Sequence, residues 1–218
     1  SLGGIDAASF TIDASNYLTF NGPANYESAK TSYEVKVIAA DEDGAEDTVS
    51  LTIPVANVDE APELQSGTSG TVIENLPTST AIYTASATDE DAGQTATISY
   101  SIISNQDDDS GLVSILDPDT GVVTLDSSAD YESQSSYTFE VMATDSDGLT
   151  DTEVVTITVQ DENESPVLAS ITPASVDENQ TNVQIGSVSW TDPDNADNIS
   201  TDVDYDNVLV SLGGADAT

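Results

Sequence analysis

The chain has 218 residues, of which 41 are acidic and only two, Lys30 and Lys36, are basic, so the formal charge at pH 7 is −39. Such a polyanion cannot release counterions from nucleic acid or from an anionic membrane surface, which excludes both as partners. Histidine, cysteine and arginine are absent, which excludes Ser-His and Cys-His nucleophile pairs, disulfides and zinc thiolate sites. No run of 18 apolar residues predicts membrane insertion.

The sequence of residues 1–58 predicts a short hairpin followed by longer strands. Asn16 lies in the hairpin turn, where asparagine is the best residue after glycine for a left-handed backbone. Further along, Asp117-Pro118-Asp119-Thr120-Gly121 separates two apolar runs in the same way. Proline presets a type I turn there, and Gly121 is free to take a positive φ.

The middle of the chain reads as strands throughout. Tyr137, Phe139 and Val141 alternate with polar side chains, which is the period-two pattern of half-buried strands. Seven short strands in about 100 residues predict an antiparallel Greek-key β-sandwich, and the fold class is therefore all-β. The predicted strands span residues 72–75, 81–87, 96–103, 112–116, 122–126, 136–144 and 152–160.

Several segments recur after about 104 residues. Tyr33–Gly44 matches Tyr137–Gly148, Val72–Asn75 matches Val176–Asn179, and Ser1–Ala7 returns two periods later as Ser211–Ala217. A fixed period of this length indicates tandem domains in a linear array. We expect residues 1–58 to be the C-terminal half of one repeat, residues 59–162 a complete repeat, and residues 163–218 the N-terminal half of a third.

The acidic residues cluster where strands end. Two carboxylates about 4 Å apart repel by roughly 4 kcal/mol at an effective dielectric constant near 20, so crowded junctions between repeats need a cation. Alternate residues of an extended segment point the same way, which lets both members of a pair such as Asp89 and Asp91 reach one ion. Oxygen ligands of this kind suit Ca²⁺, with Mg²⁺ the weaker alternative.

These motifs resemble the cadherin repeats, specifically the cadherin-like repeats of large bacterial surface proteins. The resemblance covers the whole chain and rests on five motifs in the family's order. They are a Glu in the first strand (Glu74, Glu178), an Asp-x-Glu motif (Asp130-Tyr131-Glu132, and Asn25-Tyr26-Glu27 with Asn in the Asp place), an acidic linker (Asp161–Pro166, Asn57–Pro62), an Asp-x-Asp pair (Asp89 with Asp91, Asp192 with Asp194) and an Asp in the last turn (Asp41, Asp145).

The resemblance implies Ca²⁺ at two junctions between repeats. The ligands that it implies for the first junction are Asn25, Glu27, Asn57, Asp59, Glu60, Asp89, Asp91 and Asp145. Those for the second junction are Glu74, Asp130, Glu132, Asp161, Asn163, Glu164, Asp192 and Asp194. The strand Glu that would serve the first junction falls before Ser1 in this alignment.

The leading functional hypothesis is an extracellular or cell-surface adhesion or spacer module that Ca²⁺ rigidifies. Its expected partners are neighbouring repeats, with homophilic or head-to-tail self-association as a further expectation. An enzyme is not expected, because the acids recur with the fold period whereas a catalytic pair would occur once. Three alternatives stay open: a carbohydrate-binding accessory module with a surface glycan as partner, an acidic and mostly disordered Ca²⁺ buffer, and a subunit of an extracellular filament. Trp190 could stack on a sugar in the first of these, but its place in a strand favours a core position.

Overall fold

A computed structural model describes residues 1–91 and 93–194. The expectations for residues 195–218, which include the last 24 residues of the predicted third repeat and the recurrence at Ser211–Ala217, lie outside the described residues. Helix in the described part is limited to 3₁₀ turns at Ala7–Ser9, Gln94–Thr97 and Ser110–Leu112. None of these turns has the length and apolar character that crossing a bilayer requires.

The first 54 residues form five strands in two small sheets. One sheet has the order β1-β4-β5, and the hairpin β2-β3 forms the other. Phe10 of this hairpin lies 5.4 Å from Phe20 and 6.1 Å from Tyr33 between ring centroids, so an aromatic cluster joins the two sheets. The strands are β1 (Leu2–Gly3), β2 (Phe10–Ile12), β3 (Leu18–Phe20), β4 (Ser32–Ala40) and β5 (Glu46–Pro54).

The middle of the chain forms a sandwich of two larger sheets. One has the order β10-β13-β14-β7 and the other β11-β12-β8, while β6 pairs with β9 beside them. The strands are β6 (Glu63–Leu64), β7 (Ser69–Ile73), β8 (Ala81–Thr84), β9 (Ala87–Thr88), β10 (Ser99–Ile103), β11 (Val113–Ile115), β12 (Val122–Leu125), β13 (Ser136–Thr144) and β14 (Thr150–Gln160). The all-β prediction is confirmed.

The core lies between these two sheets and follows the alternation seen in the sequence. Phe139 and Val141 of β13 and Val155 and Ile157 of β14 are fully buried, whereas the residues between them face outward. Val123 of β12 closes the core from the other sheet. Both long strands are thereby fixed in register, because a shift of one residue would turn every apolar side chain to solvent.

The structure differs from the predicted strands in four places. The predicted strand 72–75 is β7 at Ser69–Ile73, so Glu74 and Asn75 lie in the turn just after the strand rather than within it. β7 pairs with β14 in parallel, so one pair in the sandwich departs from the antiparallel pattern. The predicted strand 81–87 is divided into β8 and β9, which belong to different sheets. The first residues of the predicted strand 96–103 form part of the 3₁₀ turn Gln94–Thr97 instead.

Two further strands follow the sandwich, β15 (Val167–Leu168) and β16 (Trp190–Thr191). They pair antiparallel, with Leu168 opposite Trp190, and repeat the β6–β9 pair one period later. Trp190 is half-buried in this pair.

Candidate metal centre

Glu74 is the most deeply buried carboxylate among the described residues, with 1% of its surface exposed. It follows β7 directly, and its two oxygens accept hydrogen bonds from the backbone N–H groups of Tyr131 (2.7 Å) and Glu162 (2.8 Å). One carboxylate oxygen of Glu74 lies within 4.8 Å of carboxylate oxygens of Asp130 and Glu132. A buried charge of this kind is stable only when it is paired or coordinates a metal.

The linker after β14 extends this cluster towards the next strands. Carboxylate oxygens of Glu132, Asp161 and Asp194 lie within 4.8 Å of one another. Asp194 Oδ2 accepts a hydrogen bond from the backbone N–H of Glu164 at 2.7 Å, which fixes the turn after β16 against the linker. Three parts of the chain therefore meet at the second junction. They are β7 with the Asp130 segment, the linker, and the turn after β16.

The first junction lies one period earlier in the sequence. Carboxylate oxygens of Glu27, Glu60 and Asp91 lie within 4.8 Å of one another. Asp91 is 6% exposed, and it accepts hydrogen bonds from the Asn57 side chain (2.8 Å) and from the backbone N–H of Glu60 (2.9 Å). The Glu60–Asp91 contact has the same form as the Glu164–Asp194 contact, so the two junctions share one local design.

The turn between β13 and β14 also reaches the first junction. Asp145 is 6% exposed, and its Oδ1 accepts three backbone N–H groups of its own turn at 2.6–2.9 Å. Gln94 bridges this turn to the linker, since its Nε2 donates to Asp59 (2.5 Å) and Asp147 (3.2 Å) and its Oε1 accepts from Ser146 (2.9 Å). The side-chain amide of Gln94 thus lies between the carboxylates of Asp59 and Asp147.

A test of whether these residues fit a cation comes from side-chain atoms that have no partner. Among the described residues, every buried side-chain oxygen or nitrogen without a hydrogen bond is a carboxylate oxygen at one of the two junctions. An unsatisfied buried charge is costly, so six of them at two places indicate a missing positive charge. The atoms are Glu60 Oε2, Asp89 Oδ2 and Asp145 Oδ2 at the first junction and Glu164 Oε2, Asp192 Oδ1 and Asp194 Oδ1 at the second.

The titration behaviour of the junctions reflects the same crowding. Desolvation, followed by the charges of Asp194 and Glu74, raises the pKa of Asp161. Desolvation also comes first among the causes that raise the pKa of Glu132 and that of Glu164. At the first junction it likewise raises the pKa values of Asp59 and Glu60.

Asp91 at the first junction differs from these residues, because its pKa is lowered rather than raised. The hydrogen bond from the Asn57 amide, with that from the Glu60 backbone second, lowers the pKa of Asp91. An amide at position 57 thus holds its neighbour in the charged form that a cation requires.

The structure brings most of the predicted residues together, in the two groups in which the sequence placed them. Asn163 is an exception, because its amide donates to the backbone oxygen of Glu164 at 2.9 Å. Asn25 contacts Glu90 across the first junction at 3.3 Å. Their role as metal ligands stays a prediction.

Besides Ser146 and Glu90, the predicted set of site residues lacked three further residues that take part in these networks. Gln94 and Asp147 bridge the first junction, and the Asn75 side chain donates to Glu164 at the second. Asn75 stands beside Glu74 in a motif that returns at Glu178-Asn179, so the repeat could have indicated it. Gln94 carried no such signal, because the aligned position one period later in the sequence holds Asp197 rather than a glutamine.

A family model described as Cadherin domain matches residues 68–160. This range covers most of the sandwich from just before β7 to the end of β14. Glu74, Asp130 and Glu132 of the second junction lie within the matched range.

Curated proteins show a similarity that extends over most of the chain. Cadherin-7 of Mus musculus is 30% identical over 188 residues, which cover 77% of this chain and 24% of that protein. The protocadherin-like wing polarity protein stan of Drosophila melanogaster is 34% identical over 205 residues, which cover 88% of this chain and 6% of that protein. The chain thus spans a quarter or less of the length of these relatives.

Solved structures show the same similarity. A protocadherin gammaB7 EC3-6 cis-dimer structure is 27% identical with a TM-score of 0.55, covering 88% of this chain and 51% of that one. Protocadherin Gamma B2 extracellular cadherin domains 3-6 are 28% identical with a TM-score of 0.52, covering 81% of this chain and 43% of that one. Human CDH23 EC21-23, at 21% identity and a TM-score of 0.56, supports the fold and covers 86% of this chain and 62% of that one.

Proposed function

From the match of residues 68–160 to the cadherin domain, we propose that the chain belongs to the cadherin repeats and is a stretch of extracellular repeats, serving adhesion or spacing, whose junctions Ca²⁺ makes rigid. The observation that carries the proposal is the set of unpartnered buried carboxylate oxygens, three at each junction. Ca²⁺ accepts six to eight oxygen ligands, and extracellular concentrations saturate sites of modest affinity. When bound, it would supply the positive charge that these oxygens lack.

The proposed ligands are those predicted from the sequence, and three of them, Asp89, Asp145 and Asp194, have one oxygen anchored by the protein and the other without a partner. In Asp194, for example, Oδ2 is held by the Glu164 backbone while Oδ1 has no partner. In Asp145, Oδ1 holds its own turn while Oδ2 has no partner. This division orients the second oxygen before any ion arrives, which lowers the entropy cost of binding.

The proposed role is mechanical rather than enzymatic. The linker residues Asp59 and Asp161 lie between flanking turns, so an ion shared by linker and turns would remove a hinge. Partners would be neighbouring repeats and further copies of the protein, in keeping with the cis-dimer named for the gammaB7 relative. A place at a cell surface, and the narrower assignment to large bacterial surface proteins, are parts of this proposal.

Glu74→Gln tests the proposal at the second junction. The 218-residue chain should bind Ca²⁺ in isothermal titration, and its melting temperature should rise with added Ca²⁺, because an ion that binds only the folded state stabilises it by about 2.7 kcal/mol at 100 times Kd. Glu74→Gln should weaken one class of sites at least about tenfold, since even residues that only orient ligands change metal affinity by 10- to 100-fold.

Glu140→Gln is the matched control. It makes the same change of charge in the middle of β13, and Glu140 belongs to neither acidic junction. Its Ca²⁺ affinity should equal that of the unaltered chain. A melting temperature that Ca²⁺ does not raise, or an equal loss of affinity in both variants, would refute the proposal.

A further inference from the structure

Side-chain amides bridge the carboxylates of the first junction. The Asn57 amide donates to Asp91 at 2.8 Å, and the Asn25 amide donates to Glu90 at 3.3 Å. Because Asn25 lies between β3 and β4 and Glu90 lies just after β9, the second bond joins the first five strands to the sandwich. Gln94 supplies the third amide, which bridges the linker to the turn between β13 and β14. Each bond places a neutral donor against a charged acceptor, which strengthens a hydrogen bond.

Asn57 has a counterpart at the second junction, where the same place holds an acid. Asp161 stands about one period after Asn57, as Asp194 stands about one period after Asp91. Carboxylate oxygens of Asp161 and Asp194 lie within 4.8 Å of each other. Where the first junction has a donor facing an acceptor, the second therefore has two like charges, which repel unless a cation or a proton lies between them.

The backbone contact beside this pair is the same at both junctions. The N–H of Glu60 donates to Asp91 Oδ2 at 2.9 Å, and the N–H of Glu164 donates to Asp194 Oδ2 at 2.7 Å. Both oxygens of Asp91 are thus bonded, whereas Asp194 Oδ1 has no partner. These two N–H groups are matched reporters of whether each linker stays against its turn.

Asn25 shows the same replacement. Its Oδ1 accepts the backbone N–H of Ser28 at 2.6 Å, which leaves Nδ2 to donate to the turn after β9. Oδ1 of Asp130 accepts the N–H of Ser133 at 2.9 Å, so the two side chains are anchored alike. Asp130 has an oxygen where Asn25 has its donor, and one period after the acceptor of Asn25 the chain has Pro193, which offers no side-chain acceptor.

Gln94 completes the set. Its Oε1 accepts from the Ser146 hydroxyl at 2.9 Å, and its Nε2 faces the carboxylates of Asp59 and Asp147. The aligned position one period later holds Asp197. All three amide donors of the first junction are therefore replaced by aspartates in the sequence of the second.

The second junction has one amide bridge between the sandwich and the linker, from Asn75 to Glu164. This bond does not reach the turn after β16. Among the described residues, no side-chain amide at the second junction donates to Asp192 or Asp194. That turn is held to the linker by backbone contacts and by whatever charge lies between the carboxylates.

We propose that Asn25, Asn57 and Gln94 form a clasp that holds the first junction together without a cation, whereas the second junction depends on Ca²⁺. Only the statement on the second junction rests on the proposed function, because the bonds of the clasp form without a metal. Ca²⁺ would still bind the first junction through the three oxygens that have no partner there. Its affinity should be lower than at the second junction, because the number of charged ligands tunes Ca²⁺ affinity.

Amide hydrogen exchange of the 218-residue chain, followed by NMR in Ca²⁺ and in EDTA, tests the clasp at the two reporter N–H groups. In EDTA the N–H of Glu164 should exchange at least about tenfold faster than in Ca²⁺, and that of Glu60 should change less than about threefold, because local opening sets exchange rates. An equal acceleration at both N–H groups would overturn the inference.

Asn57→Asp changes the first junction towards the second. In EDTA it should speed exchange at the N–H of Glu60 at least about tenfold, because a carboxylate replaces the donor that faces Asp91. Ca²⁺ should restore the protection, which distinguishes loss of the clasp from loss of folding.

Asn105→Asp is the matched control. It adds the same charge in a loop of the sandwich, where the Asn105 side chain uses only Oδ1, to accept the N–H of Asp107 at 3.1 Å. Exchange at the N–H of Glu60 should equal that of the unaltered chain. Equal acceleration in the two variants would make net charge the cause and overturn the clasp.

The combination of N25D, N57D and Q94D gives the first junction the acids of the second. The N–H groups of Glu60 and Glu164 should then respond alike to EDTA, and isothermal titration should show tighter Ca²⁺ binding at the weaker class of sites. A Glu60 N–H that still resists EDTA in this variant would contradict the clasp.

The two proposals fail in different ways. If EDTA speeds exchange at neither reporter and Ca²⁺ does not raise the melting temperature, the metal function is refuted, and the comparison of Asn57→Asp with Asn105→Asp in EDTA decides the clasp. If EDTA releases the N–H of Glu60 as readily as that of Glu164, the clasp alone is refuted.

Discussion

Single residues determine where charge can be buried in this chain. Glu74 is buried with both oxygens bonded to backbone amides, whereas Asp145 and Asp194 each retain one oxygen without a partner. The sequence could predict which acids converge, because the motifs return at a fixed period. It could not predict which oxygen of each acid is anchored, since that depends on turns whose backbone geometry is set by the packed sandwich.

The pH dependence of stability should change sign with Ca²⁺. Burial raises the pKa values of Asp59, Glu60, Glu132, Asp161 and Glu164 above their ordinary 3.8 or 4.5. The stability linked to a raised pKa is present below the ordinary value and is lost as pH rises through the folded-state value. Without metal, acidification from pH 7 to about 5 should therefore raise the melting temperature.

In saturating Ca²⁺ the same acidification should lower the melting temperature, because protons compete with the cation for these carboxylates. Asp91 opposes the metal-free trend, since its pKa is lowered and its contribution is lost as pH falls through the folded-state value. Differential scanning calorimetry with EDTA or with Ca²⁺ checks both slopes. Slopes of equal sign in the two buffers would contradict the prediction.

Gly121→Ala should destabilise the chain by about 2–4 kcal/mol, because left-handed strain adds to overpacking. The new Cβ would lie 2.6 Å from the oxygen of Ala85 and 3.0 Å from the Tyr100 ring. Gly67→Ala is the control, since Gly67 also has a positive φ but faces open space. Urea unfolding should show a smaller decrease in the free energy of unfolding for Gly67→Ala than for Gly121→Ala. Equal decreases would mean that left-handed backbone strain alone, without overpacking, is the cause.

At the scale of elements, the long strands were the easiest to predict. β13 and β14 alternate over nine and eleven residues, and their apolar faces are buried as the period-two pattern indicated. β8 and β9 were predicted as one strand because periodicity carries no information about a change of sheet. The parallel pairing of β7 was missed for a similar reason, since hairpin signals describe only strands that are neighbours in sequence.

We expect the packing of β7 against β14 to affect Ca²⁺ binding at the second junction. A Cβ on Gly70 would lie 2.8 Å from Ile157 Cδ1 and 2.9 Å from the oxygen of Ile82. Gly70→Ala should therefore push β7 outward, cost about 1–3 kcal/mol and displace Glu74 at its end. Titration should show weaker Ca²⁺ binding although no ligand is altered.

Gly111→Ala provides the comparison, because a Cβ at position 111 meets nothing within 4 Å. Its Ca²⁺ affinity and stability should stay close to those of the unaltered chain. If Gly70→Ala lowers stability but leaves Ca²⁺ affinity unchanged, Glu74 is positioned independently of β7.

At the scale of the whole molecule, the net charge and the proposed metal sites at the junctions together determine how the repeats are held relative to one another. A charge of −39 keeps the repeats mutually repulsive, while bound cations would neutralise the carboxylates only at the junctions. Small-angle X-ray scattering in Ca²⁺ should therefore report a narrow distribution of shapes, and EDTA should broaden it or shorten the maximum dimension. Superimposable scattering curves would contradict a rigidifying role for the cation.

The parallel pairing of β7 with β14 has a consequence for a chain under tension. β7 lies near the beginning of the repeat and β14 at its end, so a pull along the array draws the two strands in opposite directions along their shared edge. Their hydrogen bonds, including those from Thr156 to Thr68 and from Glu74 to Gln160, are then loaded in shear and share the force instead of breaking one after another. An antiparallel pair in this place would unzip, so the one parallel pairing among the described strands is the arrangement that would let this sandwich resist a pull along the array.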